Sequence, residues 1–378
     1  MAYIVSVETA NPPYCIDPQA TIDFIEQLFG VHHDDISRLL KVVQNGEILN
    51  RHISAPIEWF QYDRSFQEKN DRYIEVAVEL GIQAIRKCVD SIPKASLEHD
   101  AAFTFENIDA IFFVSSTGIA TPTIDARIMN RLSFAANIKR IPIWGLGCAG
   151  GVAGISRAYE YCKAYPVANV LVLCIELCSL TFQRNDFSKS NLIGTSLFAD
   201  GAACALIAGE QSVLLAEHKL VVPKQFSDKS NKRQYLEIVN VSSTFMKDSE
   251  DVMGWELKDN GLNVLFSKDI PTVIRNWLGP NIEKFLYNNM LSFNDITYFI
   301  AHPGGKKVLQ AYRDSLNLQE HMTELSRSVL QDYGNMSSPT VLFVLERHMK
   351  TSTPSAGDKG LMLALGPGFS SEVLLFAY

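Results

Sequence analysis

Apolar residues along the chain fall into two rhythms: short unbroken runs and runs of helical period. Unbroken runs at 3–7, 107–115, 168–177, 198–207, 298–301 and 360–366 predict strands covered on both faces. A period near 3.6 predicts helices over 22–29, 35–43, 71–90 and 271–288. The clearest is 71–90, where Ile74, Ala77, Val78, Gly81, Ile82 and Ile85 share one face. Residues 51–62 show neither rhythm and read as irregular. From 218 to 260 the chain turns polar and charged, which predicts a solvated crossover between two halves.

The most informative stretch is 141–157. Apolar residues run into Gly145, Gly147 and Cys148, and a helical pattern then resumes at Val152, Ile155, Ala158 and Tyr159. Strand, tight glycine turn and helix follow in that order. Cys148 would sit at the helix start, where unpaired N–H groups and the dipole favour a thiolate. The small residues Ala149, Gly150 and Gly151 would let another backbone or a ligand come close.

The second half echoes the first. Phe105-Glu-Asn-Ile-Asp precedes one strand and Phe293-Asn-Asp-Ile-Thr another; Ile108 lies 40 residues before Cys148, and Ile296 lies 39 before Asn335. Gly334-Asn335 then opens an apolar helical run to Leu345. The repeat predicts a duplicated α/β chain, divided into 1–217 and 218–378, with parallel sheets and helices outside. A pseudo-twofold axis would bring Cys148 and Asn335 face to face, with His302 at a strand end of the second half.

Composition narrows the chemistry. A net charge of −8 without a basic cluster argues against nucleic acid. No apolar run reaches the roughly 20 residues of a membrane span, and no secretory leader opens the sequence, so a cytoplasmic protein is expected. Seven cysteines lack metal-ligand spacing, so neither a metal nor a disulfide framework is expected, and Cys174 and Cys178 read as packing residues. Histidines 32, 33, 52, 99, 218, 321 and 348 lie in polar contexts and read as surface residues. Glu176 is a carboxylate inside an apolar run and needs hydrogen-bond donors. A thiol, an imidazole and an amide together suit acyl transfer. Cys148 would carry the acyl group, His302 would hold the thiolate as an ion pair, and the N–H groups of His302 and Asn335 would hold an oxyanion or enolate.

Gly147-Cys148-Ala-Gly-Gly, Leu197-Phe198-Ala-Asp-Gly-Ala202, Ala301-His302-Pro-Gly-Gly305, Tyr333-Gly-Asn335-Met-Ser-Ser338 and Gly366-Pro-Gly-Phe-Ser370 closely resemble the type III polyketide synthases. These form the chalcone synthase-like branch of the thiolase fold, and the motifs span essentially the whole chain. The resemblance implies a layered αβαβα fold and a homodimer. It implies Cys148, His302 and Asn335 acting on malonyl-CoA and acyl-CoA substrates, without a carrier domain, metal or organic cofactor. Phe198 falls on the gatekeeper position, and Ser116, Thr117, Thr181 and Gly194 fall around the cavity. Arg51, Gly304, Gly305 and Lys307 fall where the CoA arm is held, and Thr121 where the partner's cavity is reached. Glu176, Ser116 and Ser337 fall on the positions of a hydroxyl–carboxylate relay found in aldol-cyclising relatives, but a hydrogen-bonded structural acid is the preferred reading of Glu176.

The chain departs from the plant enzymes at three of these positions. Val264 replaces the second gatekeeper phenylalanine, Cys178 a frequent threonine, and Trp255 a small residue. Losing the ring at 264 is expected to open the cavity for an alkyl chain. The resemblance therefore leans to bacterial enzymes making alkylpyrones or alkylresorcinols from fatty acyl thioesters. Alternatives are a ketoacyl synthase stopping after one condensation, a non-catalytic acyl-CoA-binding subunit and a cysteine hydrolase. The His-Pro-Gly-Gly context favours the first reading over the ketoacyl synthase.

Overall fold

The computed structural model describes residues 1–30, 40–41, 43, 45–93, 102–215, 235–267 and 269–378. Most of the helix expected at 35–43, much of the polar crossover, and His32, His33, His99 and His218 lie outside the described residues. The strands are β1 (Ala2–Ala10), β2 (Tyr14–Ile16), β3 (Arg51–Ile53), β4 (Ala110–Val114), β5 (Lys139–Ile143), β6 (Asn169–Leu177), β7 (Asp200–Gly209), β8 (Leu236–Phe245), β9 (Met253–Lys258), β10 (Gly261–Phe266), β11 (Tyr298–Ala301), β12 (Lys359–Gly366) and β13 (Ser370–Ala377). The helices are α1 (Pro18–Phe29), α2 (Phe66–Asp90), α3 (Ile124–Met129), α4 (Gly150–Ala164), α5 (Lys189–Leu197), α6 (Ile270–Val273), α7 (Gly279–Asn288), α8 (Lys306–Leu316), α9 (Glu324–Tyr333) and α10 (Ser338–Thr351).

Nine strands form one sheet in the order β11-β12-β13-β8-β1-β7-β6-β4-β5. The duplication is visible in its pairing. β4 runs parallel to β6, and then β7 and β1 follow antiparallel; β11 runs parallel to β12, and then β13 and β8 follow antiparallel. The halves meet where Ala2–Ile4 of β1 pairs with Leu236–Ile238 of β8. The expected parallel sheets are therefore mixed. An unbroken apolar run marks burial and not direction, and the short Pro367–Phe369 turn between β12 and β13 can join only antiparallel neighbours.

Helix placement also differs from the expectation. α4 packs on β4, β6 and β7 of one half and on β12 and β13 of the other; α10 likewise touches β1, β6 and β7 as well as β11 and β12. Both helices lie between the half-sheets and not outside them. Their composition explains this: Val341, Leu342, Phe343, Val344 and Leu345 are all at most 1% exposed, so the first half of α10 has no polar face to present to water, and its exposed residues are confined to the C-terminal end. α2 covers the outer face of the first half. It is fixed at its start by a capping box between Ser65 and Glu68 and packs Tyr73, Ala77, Leu80, Ala84 and Ile85 inward. The resulting layers are helix, sheet, central helix pair, sheet and helix.

Smaller differences have local causes. Residues 51–62 contain β3, paired with β2, and a short 3-10 turn at Ile57–Gln61. The helix expected over 271–288 is interrupted by a wide π turn, Ile274–Leu278, just before Gly279-Pro280. Pro280 has no N–H for the regular ladder, and the wider turn accommodates that loss.

Candidate active site

β5 delivers the chain to an elbow in which Gly145 (φ 91°) and Gly147 (φ 47°) take left-handed conformations. A Cβ on Gly147 would also stand 2.8 Å from the Pro367 ring, so the position is closed to larger residues twice over. The 3-10 turn Gly147–Ala149 then runs into α4. At the crossing of the two central helices, a Cβ on Gly151 would lie 2.4 Å from the Ser338 carbonyl oxygen. Without side chains at that point, the starts of α4 and α10 come together. Cys148 is half-buried there, and its thiol donates to the Ser337 hydroxyl at 3.5 Å.

Asn335 is pinned on every side. Its backbone N–H donates to Leu197 O (3.0 Å) and its carbonyl accepts from Ala199 N (2.9 Å), flanking Phe198. Its side-chain Nδ2 donates to Gly304 O (3.2 Å), and Oδ1 accepts from Ser337 N (2.8 Å). Its side chain lies close enough to the Cys148 sulfur to favour the thiolate. His302 follows β11 directly, anchored by its N–H to Leu363 O at 2.8 Å. Its ring is buried, at 2% exposure, and neither ring nitrogen has a protein partner.

The expected resting ion pair is not what this arrangement favours. Burial pushes the Cys148 thiol up to about 11, against the opposing hydrogen bonds of Ser337 and Asn335. Burial alone pushes the His302 imidazole down to about 3. Each group is therefore neutral at pH 7 by its own surroundings. The sequence placed a dipole and a histidine near the sulfur but did not reveal how dry the pocket is.

Glu176 is fully buried and held by three donors: Ser116 N (2.9 Å), Thr117 Oγ1 (2.8 Å) and Ser338 Oγ (3.1 Å). Burial, outweighing these bonds, raises its carboxyl to about 7. Neither hydroxyl of the possible relay bonds Glu176: Ser116 Oγ accepts from Gly147 N (3.3 Å), and Ser337 Oγ accepts from the Cys148 thiol. Glu176 thus ties β6 to the loop after β4 and to the start of α10. Its visible part is structural.

A cavity of about 560 Å3, including its mouth, is lined by Phe198, Val264, Gly194, Cys178, Thr181 and Arg51, together with a mostly apolar wall that includes Phe24, Ile57, Phe60 and Phe182. Cys148, His302 and Asn335 do not line it; its link to them is the Cys178 thiol on its wall, which lies within electrostatic range of Cys148. Thr117 and Thr181 line a smaller cavity of about 230 Å3 with Lys69. Trp255, Ser116, Glu176 and Ser337 are not on the larger cavity's wall, and Thr121 is at the surface. The ring missing at Val264 is replaced locally. Trp255 and Phe266 both pack on Phe198, each with centroids 5.5 Å away, Phe266 nearly parallel at 25°.

The positions assigned to the CoA arm separate. Lys307 is exposed in the first turn of α8, beside Gly304 and Gly305. Arg51 is buried, and its guanidinium is engaged by Thr195 O (2.6 Å), Phe198 O (2.7 Å) and Thr21 Oγ1 (2.7 Å). It braces the end of α5 and the backbone of Phe198. His348, read as a surface residue, is buried, with its ring nitrogens against Ser352 Oγ and Tyr378 OH, each at 2.8 Å. Sequence reasoning missed Phe266 and Ser338. The first was within reach, since alternation along a strand puts 264 and 266 on one face. Among the described residues no group of three His, Cys, Asp or Glu side chains could hold a metal, and no helix is long and apolar enough to cross a membrane.

Two half-sheets around paired central helices, with a cysteine elbow at one helix start and an asparagine at the other, define the α/β thiolase-like fold. Residues 1–211 match the family described as "Chalcone and stilbene synthases, N-terminal domain", and 237–377 match the corresponding C-terminal domain. The chain belongs to the chalcone and stilbene synthase family: it is a type III polyketide synthase, an acyltransferase that condenses malonyl-CoA. It is 48% identical to a Bacillus subtilis protein named "Putative chalcone synthase", covering 100% of this chain and 99% of that one. It is 32% identical to a 1,3,6,8-tetrahydroxynaphthalene synthase of Streptomyces peucetius, over 99% of this chain and 93% of the relative. The crystal structure of the Streptomyces coelicolor 1,3,6,8-tetrahydroxynaphthalene synthase superposes with a TM-score of 0.85 at 26% identity, covering 100% of this chain and 99% of that one.

Proposed function

We propose that this enzyme loads a fatty acyl group from CoA onto Cys148, extends it with malonyl-CoA and releases an alkylpyrone or alkylresorcinol. The observation that carries this reading is the mostly apolar cavity bounded by Val264, Gly194 and Cys178, the last within electrostatic range of Cys148. An alkyl chain gains about 0.8 kcal/mol per buried methylene there, whereas a malonyl starter gains nothing from such a wall. Similarity to a mycobacterial "Alpha-pyrone synthesis polyketide synthase-like" protein, at 26% identity over 100% of this chain, points the same way.

In the proposed cycle His302 takes the Cys148 proton as sulfur attacks the acyl-CoA carbonyl. The CoA thiolate leaves and takes that proton back from the imidazolium. Malonyl-CoA then loses carbon dioxide, and the electron pair of the broken C–C bond becomes a thioester enolate. His302 and Asn335 donate hydrogen bonds to its oxygen. The enolate carbon attacks the Cys148 thioester, and the lengthened chain returns to Cys148 before cyclisation. Burial of both groups suits this timing, since the proton moves only when a substrate carbonyl is present to accept the sulfur.

The same proposal includes a homodimer, with Thr121 from one subunit at the cavity of its partner, and phosphate contacts from Lys307. Labelled malonyl-CoA offered with acyl-CoAs of increasing length, read by mass spectrometry, tests the chemistry. Long-chain tri- or tetraketide pyrones or resorcinols support it. Products built from malonyl units alone, or a single condensation, would overturn it.

A further inference from the structure

Lys69 of α2 is buried, at 7% exposure. Its Nζ donates to Phe182 O (3.0 Å) and to Gln183 Oε1 (2.8 Å), both neutral acceptors. An ammonium has three N–H groups, so one donor is left over. Buried lysines are ordinarily paired with a carboxylate. Among the described residues the carboxylate that acts on Lys69 is Asp63, across space and without a contact. Burial lowers the ammonium to about 8, so it still carries its charge at pH 7.

That charge faces a cavity. Lys69 lines the space of about 230 Å3 together with Phe66, Thr117, Leu180, Thr181 and Leu262. Thr181 is also on the wall of the larger cavity, and so is Phe182, whose carbonyl Lys69 holds. Leu262 and Val264 are two apart on β10 and therefore share a strand face, the first on the smaller cavity and the second on the larger. The two spaces are thus neighbours with Thr181 between them, and the cation belongs to the smaller one.

We propose that the smaller cavity receives the far end of the starter chain, past Thr181, and that Lys69 selects starters ending in a carboxylate, the CoA thioesters of long dicarboxylic acids. The inference rests on the fatty-starter reading and narrows it. A methyl end placed against Lys69 would leave the third N–H and the charge unanswered. A carboxylate supplies both the acceptor and the missing counter-charge. The methylenes between thioester and carboxylate would still lie along the apolar wall of the larger cavity. Bracing of Phe182 and Gln183 accounts for two hydrogen bonds but not for the choice of a cation, since a neutral amide could donate to the same oxygens.

The test compares acyl-CoAs of equal length ending in methyl or in carboxylate, by kcat/KM with labelled malonyl-CoA and by product mass. At lengths that span both cavities the carboxylate-ended starter should be favoured about tenfold or more, the scale of one charge-assisted hydrogen bond. At short lengths that preference should vanish. Lys69→Met, similar in length but uncharged, should cut the long carboxylate-ended starter by about the same factor and leave the methyl-ended one unchanged or faster. Melting temperature checks the brace; should the variant melt early, the preference of the wild-type enzyme decides alone. A methyl end favoured at every length, or equal losses on both starters in a normally melting Lys69→Met protein, overturns the inference. The two levels separate cleanly. If long methyl-ended chains are extended and carboxylate-ended ones are not, only the part given to Lys69 fails; if neither is loaded, the fatty-starter reading fails with it.

Discussion

Val264 and Trp255 are directly opposed across the β9–β10 ribbon, on the face turned to Phe198. The small side chain of one strand is thus set against the largest side chain of the other. Val264 lines the cavity, with its Cγ1 3.5 Å from where a Cβ of Gly194 would stand, while Trp255 is spent on the gate. Two departures that looked independent along the chain are one compensated pair.

Val264→Phe should therefore fill the cavity without restoring a missing gate. Several methylenes at about 0.8 kcal/mol each set the scale, so kcat/KM for long acyl-CoAs should fall tens-fold while short ones change little. Kinetics across chain lengths checks this, with melting temperature measured alongside to exclude overpacking. Equal losses on long and short starters in a well-folded variant would move the chain to another wall.

Cys148→Ala should abolish starter loading and product while slow malonyl-CoA decarboxylation continues. Product formation by this variant would remove the nucleophile from the scheme.

The thiol's reactivity should follow its burial. In the free enzyme the iodoacetamide inactivation profile should have its midpoint above the ordinary cysteine value of about 8.5. Ser337→Ala should move it further up, because the Ser337 hydroxyl is the strongest group favouring the thiolate. A midpoint well below 8.5 would mean a resting ion pair after all.

Glu176 gives a prediction about pH. Its carboxyl is raised from 4.5 to about 7, so between those values the folded protein holds more protons than the unfolded chain. Its contribution to stability is full below about 4.5 and is lost as pH rises through 7. Glu176→Gln should flatten that part of the melting-temperature profile. With no relay through Ser337 in place, it should leave any pyrone-to-resorcinol ratio unchanged. A shifted ratio would return Glu176 to the chemistry.

Much of this was legible from residue order. The glycines around Cys148 admit few geometries, and the echo of Ile108–Cys148 in Ile296–Asn335 carried the duplication. Strand direction was not legible, because Val170 and Ala205 are equally apolar whichever way their strands run. Nor was the inward position of α10, until its unbroken run from Val341 to Leu345 is set against a helix's need for a wet face. The charge states of Cys148 and His302 depend on solvent removed by the rest of the fold, and His348 was misplaced for the same reason.

Asn335 is joined through its main chain to both neighbours of Phe198, so the Phe198 ring and the amide proposed to hold the oxyanion share one short piece of backbone. A guest that displaces that backbone on its way past Phe198 disturbs the amide directly. Such a molecule would still bind and could still acylate the sulfur, yet it would turn over poorly. Discrimination among starters would then appear as lost rate more than as lost affinity, with the threshold of the tunnel also serving as a brake on the reaction.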